Sequence, residues 1–213
     1  MYDSNGKIVN GFKPPLFESK IITSPVHIRI NGKDYIVIQL ENGSLKILDR
    51  RGRDRIVVNS KIQYSGNSIF SYLEHFTTTD KLGNLIKIDT KGNLIKENLN
   101  LSGENSIDVV GNNLVYLNEN RLTIKGITVE LPFSKFSKPK IFIDSKTTLV
   151  SITDLTNNEI YLYKDNGELI EGFPIKGSSV IDIVDSDNDG KKEIISVLDK
   201  FSVVSHEINL SQN

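Results

Sequence analysis

The feature that most constrains this fold is an internal repeat, in which an eleven-residue segment occurs twice. Residues 2–12, with the sequence YDSNGKIVNGF, return as residues 163–173, YKDNGELIEGF, with five identical positions. The first part of the segment, an apolar residue and a tight turn that ends in Gly, has further copies between the two. The turn glycines of all copies are Gly6, Gly52, Gly92, Gly126 and Gly167. Their spacings of 46, 40, 34 and 41 residues indicate one structural unit that repeats about every 40 residues.

The composition predicts that this unit is made of β-strands. The chain lacks Ala, the best helix former, and is rich in the β-branched and aromatic residues that favour strands. Within residues 25–58, apolar runs are separated by Asn31-Gly32 and Asn42-Gly43. Asn-Gly between such runs is the strongest short-range signal for a β-hairpin. Each unit is therefore predicted to be a four-stranded antiparallel meander.

A four-stranded unit of this length is typical of a β-propeller blade. The predicted fold is an all-β propeller of about five blades, forming a single domain over residues 1–213. The predicted blades are 25–58, 67–99, 105–132, 138–175 and 178–208. The last blade lacks its turn glycine and outer strand, and residues 2–13 have the sequence to supply them. The chain is thus predicted either to close a ring through its two ends or to be a slice of a larger propeller.

One segment carries the chemistry of a metal site. Asp185-Ser-Asp187-Asn-Asp189-Gly-Lys191-Lys-Glu193 lies between two apolar strands and places carboxylates on alternate positions. Calcium prefers several oxygen ligands, which such a curled acidic loop supplies. The side chains of Asp185, Asp187 and Asp189, the backbone carbonyl of Lys191 and a bidentate Glu193 are the predicted ligands. The alternative is an ordinary solvated acidic turn.

This loop resembles the calcium-binding loops of FG-GAP repeats, which occur in integrin α-subunit propellers and in many bacterial extracellular propellers. Its fourth position is Asn188, where that family usually has Gly. Residues 167–175 resemble the segment that often precedes such loops. The other blades resemble quinoprotein-like (PQQ-like) repeats, which usually bind no metal. The resemblance implies one structural Ca²⁺ ion and a place in a larger bacterial extracytoplasmic protein, either periplasmic or at the cell surface.

The charge and the apolar pattern exclude several kinds of partner. Basic and acidic residues number 26 and 27, so the chain has no net positive charge that would attract nucleic acid. No apolar run is long enough for a signal peptide or a membrane span. The chain also begins in the middle of its own repeat, which suggests a piece of a longer protein.

Three functional classes agree with these observations. The chain carries none of the common nucleophile or phosphate-loop motifs, which favours a non-catalytic scaffold whose propeller face binds a protein or a glycan. The alternatives are a five-bladed glycosidase or glycan-binding lectin, and a quinone-dependent redox propeller. Sugar and quinone sites rely on large aromatic side chains, and the absence of Trp weighs against these alternatives.

Removal of residues 1–13 tests whether the ring closes. If a strand over residues 7–12 pairs with a strand over residues 201–206, the deletion leaves a strand edge unpaired. The free energy of unfolding should then fall by several kcal/mol, far more than after trimming a free terminus. Thermal unfolding of the parent and of the truncated chain measures the difference. Equal melting temperatures would favour a slice of a larger propeller.

Overall fold

The fold was analysed in a computed structural model that describes residues 3–7, 9–13, 15–144 and 147–208. In these ranges all regular secondary structure is β-strand, arranged in five antiparallel sheets without any helix. The prediction of an all-β fold is therefore confirmed. Within the same ranges, no helix is present that could cross a membrane.

Four sheets are meanders of four strands in chain order, and the fifth has three strands. Sheet 1 contains β1 (Val26–Ile30), β2 (Lys33–Gln39), β3 (Leu45–Leu48) and β4 (Asp54–Val57). Sheet 2 contains β5 (Phe70–Tyr72), β6 (His75–Thr79), β7 (Asn84–Ile88) and β8 (Leu94–Asn98). Sheet 3 contains β9 (Ser106–Val110), β10 (Asn113–Asn118), β11 (Arg121–Ile124) and β12 (Ile127–Glu130). Sheet 4 contains β13 (Lys140–Asp144), β14 (Thr147–Asp154), β15 (Glu159–Lys164) and β16 (Ile175–Lys176). Sheet 5 contains β17 (Asp182–Val184), β18 (Lys192–Val197) and β19 (Val203–Ile208).

Several hairpin turns use the same Asp-x-x-Gly arrangement. In the turn between β3 and β4, Oδ1 of Asp49 accepts hydrogen bonds from the backbone N–H groups of Arg51 and Arg53, at 2.8 and 3.1 Å. Gly52 has a φ of +82°, a conformation that costs Gly little and most other residues more. Asp3, Asp80 and Asp89 accept the same pair of backbone hydrogen bonds. The recurring turn therefore follows from local backbone chemistry.

The two copies of the eleven-residue repeat have the same backbone hydrogen bonds. In the first copy, Asp3 donates to Lys7 at 2.8 Å, Gly6 donates to Asp3 at 3.0 Å, and Phe12 donates to Val9 at 3.3 Å. In the second copy, Lys164 donates to Glu168, Gly167 donates to Lys164, and Phe173 donates to Ile170. The similarity in sequence thus reflects one local structure used twice.

The N-terminal copy forms turns in its described residues. No strand is present in residues 3–7 and 9–13, because Gly6 and Gly11 take positive φ angles of 72° and 84° that interrupt an extended chain. The predicted strand over residues 7–12 was therefore wrong in these residues. Tyr2 and Ile8 lie outside the described residues. The closure of the ring by residues 2–13, the single domain and its blade boundaries stay predictions.

The N-terminal segment packs on the Asp-x-x-Gly turn of sheet 1. The backbone N–H of Lys13 donates to the carbonyl oxygen of Arg51 at 3.1 Å. A Cβ atom on Gly52 would lie 2.3 Å from the carbonyl oxygen of Lys13, so only Gly fits there. A Cβ atom on Gly92, in the turn between β7 and β8, would likewise lie 2.2 Å from the carbonyl oxygen of Val57. The segment thus contacts sheet 1 as the outer strand β4 contacts sheet 2.

The chain forms two compact units, residues 1–105 and 106–213. In the first unit, sheets 1 and 2 pack face to face, and the ring of Tyr35 meets the edge of Phe76 with centroids 5.1 Å apart. In the second unit, Val115 and Leu122 of sheet 3 pack with Ile152 of sheet 4. The opposite face of sheet 4 packs against sheet 5. Burial of apolar sheet faces is therefore what holds each unit together.

The segments that connect the sheets are held by backbone hydrogen bonds to the second strand of the next sheet. Ser65 donates to the carbonyl oxygen of Thr79 at 3.3 Å, and Ser137 donates to that of Thr153 at 2.9 Å. The side-chain amide nitrogen, Nδ2, of Asn67 also donates to Oγ1 of Thr79, at 2.8 Å. Buried polar groups need such partners, so these connections are part of the core.

The carboxylate of Asp154 is a buried element of this framework. It is completely shielded from solvent at the end of β14. It accepts hydrogen bonds from the hydroxyl of Ser134 at 2.5 Å and from the backbone N–H groups of Thr156 and Asn157, both at 2.9 Å. Burial raises the pKa of Asp154, but these hydrogen bonds outweigh it and hold the pKa below its usual value. The ionised form is therefore the one that the fold stabilises.

Asp154→Asn is expected to lower the free energy of unfolding at neutral pH by roughly 1–3 kcal/mol, because the amide replaces an accepting oxygen with a donor. The pKa of Asp154 is lower in the folded than in the unfolded state, so this contribution is present above about pH 4 and is lost as the pH falls through the folded pKa. Urea unfolding from neutral to acidic pH should show the two proteins converging. Asp165→Asn, at an exposed ion pair with Lys125, serves as the control and should change stability by less than about 1 kcal/mol. A constant gap between parent and Asp154→Asn at all pH values would contradict this role.

Candidate metal centre in the last sheet

The acidic loop occupies the first hairpin of sheet 5, between β17 and β18. The corresponding hairpin of sheet 1 is the two-residue turn Asn31-Gly32, whereas residues 185–191 separate the strands in sheet 5. Val184 and Glu193 are register partners and close the loop. Asn188 and Gly190 have φ angles of +66° and +88°. Asn therefore takes the left-handed conformation at the position where FG-GAP loops usually have Gly.

Three of the predicted ligands come together in this loop. Asp185, Asp187 and Glu193 each offer a carboxylate oxygen, and these oxygens all lie within 4.8 Å of one another. Glu193 is buried, Asp185 is partly buried and Asp187 is exposed. Three carboxylates at this separation repel one another unless a cation or protons compensate. Their chemistry fits Ca²⁺, a hard cation that prefers oxygen ligands.

Hydrogen bonds within the loop orient these carboxylates. Oε2 of Glu193 accepts from the backbone N–H and the hydroxyl of Ser186, at 2.7 and 2.8 Å. Oδ2 of Asp185 accepts from the N–H of Gly190 at 3.0 Å. A carboxylate has about four lone-pair sites, so accepting one or two hydrogen bonds leaves others for a cation. The loop therefore positions its ligands without using up their capacity.

Asp189 lies outside the group of three carboxylates. Its Oδ1 accepts a hydrogen bond from the backbone N–H of Lys191 at 2.8 Å. Nζ of Lys191 lies 2.8 Å from Oε2 of Glu207 on β19 and 3.9 Å from Oδ2 of Asp189. The hydrogen bond to Glu207 raises the pKa of Lys191, so its side chain stays charged and links the loop to β19. The roles of Asp189 and of the Lys191 carbonyl as ligands stay predictions.

Across the described ranges, this is the only group of three or more His, Asp or Glu side chains close enough to hold one metal ion. A second concave feature lies in the first compact unit, where a cavity of about 560 Å³ is lined by side chains that include Asn42, Lys61, Tyr64 and Lys81. Burial raises the pKa of Tyr64, whose hydroxyl donates to the carbonyl oxygen of Ser44 at 3.1 Å. The sequence did not reveal this cavity, because four segments that are separate in sequence contribute to its lining.

No family model matches the chain, and no curated protein matches it either. Several solved structures do match the chain. Hsv2 from Kluyveromyces lactis superposes with a TM-score of 0.60 and 18% identity, over 86% of this chain and 61% of Hsv2. BBS1N, in a crystal with ARL6DN, has a TM-score of 0.58 and 12% identity, over 95% of this chain and 69% of BBS1N. BamB from Moraxella catarrhalis has a TM-score of 0.52 and 13% identity, over 88% of this chain and 58% of BamB.

The fold is of the β-propeller type. BBS1N and BamB are propellers, and four of the five sheets of this chain have the four strands in meander order that are typical of blades, while the fifth has three strands in the same order. The chain spans about three fifths of the length of Hsv2 and of BamB. Identities this low show the fold alone. The PQQ-like and FG-GAP assignments of individual blades stay predictions.

The variant Asp189→Asn distinguishes two possible ligand sets. One is the set predicted from the sequence, which includes Asp189, and the other is the group of three carboxylates that come together in the loop. Asn keeps the acceptor for the Lys191 N–H, and Asp189 is not among the three clustered carboxylates. Calcium affinity, measured by isothermal titration calorimetry, should therefore change by less than about threefold, which is below 1 kcal/mol. Asp187→Asn is the matched comparison and should weaken binding at least tenfold, about 1.4 kcal/mol. Equal losses in the two variants would restore Asp189 to the ligand set.

Proposed function

We propose that the chain is a non-catalytic propeller scaffold, in which one structural Ca²⁺ ion is held by Asp185, Asp187 and Glu193. The observation that carries the proposal is the convergence of these three carboxylates at the end of a blade hairpin. The scaffold role is supported by the fold, since BBS1N has a related fold and was crystallised in complex with ARL6DN. A propeller presents rigid loops and blade edges, which suit binding to a protein or a glycan.

The ion would act on the hairpin that carries it. The ligands come from both sides of the β17–β18 connection, and Glu193 belongs to β18 itself. Neutralising their mutual repulsion favours the ordered loop over the unfolded chain, in which the same carboxylates are far apart. The hydrogen-bond partners of these carboxylates, such as Ser186 and Gly190, lie within the loop. Stabilisation of the blade is thus the role that this arrangement supports.

A catalytic role has less support. Glycosidases use two carboxyl groups that flank the sugar, at separations of roughly 5–9.5 Å. The oxygens of Asp185, Asp187 and Glu193 lie within 4.8 Å of one another and form a group of three, which suits a cation better than a pair of acid and base. The glycosidase and lectin alternatives stay predictions from the sequence.

Calcium concentration connects the proposal to the cellular compartment. Extracellular calcium-binding modules often have dissociation constants of about 10⁻⁴–10⁻³ M, which suits an exposed loop such as this one, where Asp187 is open to solvent. We propose that the chain belongs to a larger bacterial extracytoplasmic protein, where calcium would fill the site.

Thermal unfolding with EDTA and with added calcium tests the metal site. A ligand that binds only the folded state stabilises it by about 2.7 kcal/mol at one hundred times its dissociation constant. For a domain of this size, the expected rise in melting temperature is roughly 5–11 °C. Asp187→Asn, with at least tenfold weaker binding, should remove about half or more of this rise.

Asp89→Asn is the control for a general effect of removing a turn carboxylate. Asp89 accepts two backbone hydrogen bonds in the Asp-x-x-Gly turn of sheet 2 but does not belong to the group of clustered carboxylates. Its variant should melt at a lower temperature and still respond fully to calcium. If calcium shifts neither the parent nor the variants, or shifts Asp187→Asn as much as the parent, the loop is an ordinary acidic turn.

A further inference from the structure

Arginine is concentrated in one part of the chain. Five of the six Arg residues lie within residues 29–55, in sheet 1, whereas the 20 Lys residues are spread over the whole sequence. Arg differs from Lys in presenting a planar fork of N–H donors that matches the two oxygens of an anion such as a carboxylate. The distribution therefore indicates that sheet 1 needs guanidinium groups and not only positive charge.

These basic side chains gather at one end of sheet 1. The β1–β2 and β3–β4 turns lie at the same end, because the four antiparallel strands are neighbours in chain order. Residues 29–34 and 49–55 form this end and carry three Asp residues and six basic ones. The basic residues are Arg29, Lys33, Arg50, Arg51, Arg53 and Arg55. We call these six side chains the basic end of sheet 1, and all of them belong to the first compact unit.

Two of the three Asp residues are engaged within the sheet. Oδ2 of Asp49 accepts hydrogen bonds from Nε and Nη2 of Arg53, at 3.0 and 2.8 Å. The backbone N–H and the guanidinium of Arg53 lower the pKa of Asp49 to about 2, so this pair stays charged. Oδ1 of Asp34 lies 3.1 Å from Nε2 of His27 and 3.5 Å from Nη1 of Arg29. Asp49 and Asp34 therefore compensate Arg53 and Arg29, and not the other basic side chains.

Arg50 and Arg51 have no anionic partner of this kind. Both are exposed at the tip of the β3–β4 turn, and in the part of the chain that the structure describes their side chains form no hydrogen bond or ion pair. The N-terminal segment adds an exposed Lys13 beside them, since its backbone N–H donates to the carbonyl oxygen of Arg51. Asp54 is the one acidic group of this end that is both exposed and unpaired among the described residues. An excess of positive charge thus remains at the turn.

The guanidinium of Arg55 is held in place before any partner binds. Arg55 is an extra residue in β4 where this strand pairs with β3, and such a bulge redirects the side chain that it carries. Its guanidinium carbon lies 5.1 Å from the ring centroid of Tyr35, and Nη1 donates to the carbonyl oxygen of Asp34 at 3.3 Å. Arg has five N–H donors, so others stay free for a ligand. A side chain that is already ordered loses less conformational entropy on binding.

We propose that the basic end of sheet 1 docks an acidic segment of a partner protein, whose carboxylates pair with the guanidinium groups of Arg50, Arg51 and Arg55. Complementary charge is what would select this partner and bring it to the turn. The docking surface rests on the scaffold role proposed above and does not depend on the calcium site.

The same contacts favour carboxylates over phosphate groups. Two carboxylates, those of Asp49 and Asp34, already bind guanidinium groups at this end of the sheet. The exposed carboxylate of Asp54 would repel a phosphate group, which carries up to two negative charges, more strongly than it would repel a carboxylate with one. An acidic peptide can also place uncharged residues opposite Asp54. A protein segment is therefore the occupant that these charges fit best.

Fluorescence anisotropy with a labelled hexaglutamate peptide tests the docking surface, with hexaglutamine as the neutral probe. At low ionic strength, where exposed charges are least screened, the parent should bind hexaglutamate at least tenfold more tightly than hexaglutamine. The double variant Arg50→Gln, Arg51→Gln should weaken the binding of hexaglutamate at least tenfold. These side chains are exposed, so the variant should keep the β circular dichroism spectrum of the parent.

Lys91→Gln is the matched control for Arg51→Gln. Lys91 holds the corresponding position in the turn of sheet 2, where its backbone N–H donates to Asp89 at 2.8 Å, as that of Arg51 donates to Asp49 at 2.8 Å. Both changes remove one positive charge from an exposed turn. Arg51→Gln should weaken the binding of hexaglutamate at least threefold, and Lys91→Gln should change it by less than twofold.

The double variant Arg50→Lys, Arg51→Lys separates guanidinium pairing from simple attraction of charge. It keeps both charges but loses the planar fork, so it should bind hexaglutamate at least threefold more weakly than the parent. Calcium should raise the melting temperature of every variant as it does that of the parent, because the acidic loop belongs to sheet 5. The docking proposal can therefore fail while the calcium proposal stands, and the reverse.

Four results would overturn the docking proposal. They are equal affinities of the parent for hexaglutamate and hexaglutamine, equal losses in Arg51→Gln and Lys91→Gln, parent-like binding by the Lys double variant, and a preference for lipid. The last would appear as binding to phosphatidylserine vesicles that requires Arg50 and Arg51, without binding to hexaglutamate. It would assign the basic end of sheet 1 to an anionic membrane surface instead of a protein.

Discussion

Packing between the faces of successive sheets is the interaction on which each compact unit depends. A four-stranded meander with apolar residues on both faces cannot bury them by itself, so each sheet needs a neighbour. In β14, Thr147–Asp154, the last six residues are all buried, which requires cover on both sides. Sheet 3 supplies one side and sheet 5 the other. This requirement explains why the four-stranded sheet repeats along the chain.

Polar chemistry sets the spacing between these sheets. The Asp-x-x-Gly turns close the hairpins with side-chain hydrogen bonds, and the glycine leaves room for the backbone of the preceding sheet or segment, as at Gly52 and Gly92. The connecting segments bond to the ends of β2, β6 and β14, so that each sheet is tied to the chain that enters it. Bonds of the same kind recur in several copies of the repeat. The acidic loop lies in a different hairpin, the first one of sheet 5, so a change in the loop acts first on sheet 5.

The sequence predicted the local features of the fold well. Asn31-Gly32 lies between β1 and β2 in the structure, and the turn glycines of the repeat have positive φ angles. The clustering of Asp185, Asp187 and Glu193 was also predicted, since one hairpin, β17–β18, carries all three residues. The predicted strand over residues 7–12 failed in its described residues, since the repeat identified Gly6 as a turn glycine but did not show the second turn at Gly11. The sequence also did not show that Asp189 lies outside this cluster, where its carboxylate accepts the backbone N–H of Lys191.

The sequence by itself therefore determined the strands, the hairpins, the repeat and three clustered carboxylates, all of which follow from residues near one another in the chain. The tertiary structure decided which faces are covered. Thr153 and Val197 each accept a backbone hydrogen bond from the segment that enters their sheet, yet one is buried and the other is 39% exposed. It also decided the cavity beside Lys61 and Lys81, whose lining comes from four segments that are separate in sequence. Burial of a sheet face depends on which other sheet packs against it. That sheet is formed by residues distant in sequence, so a local pattern of residues does not predict it.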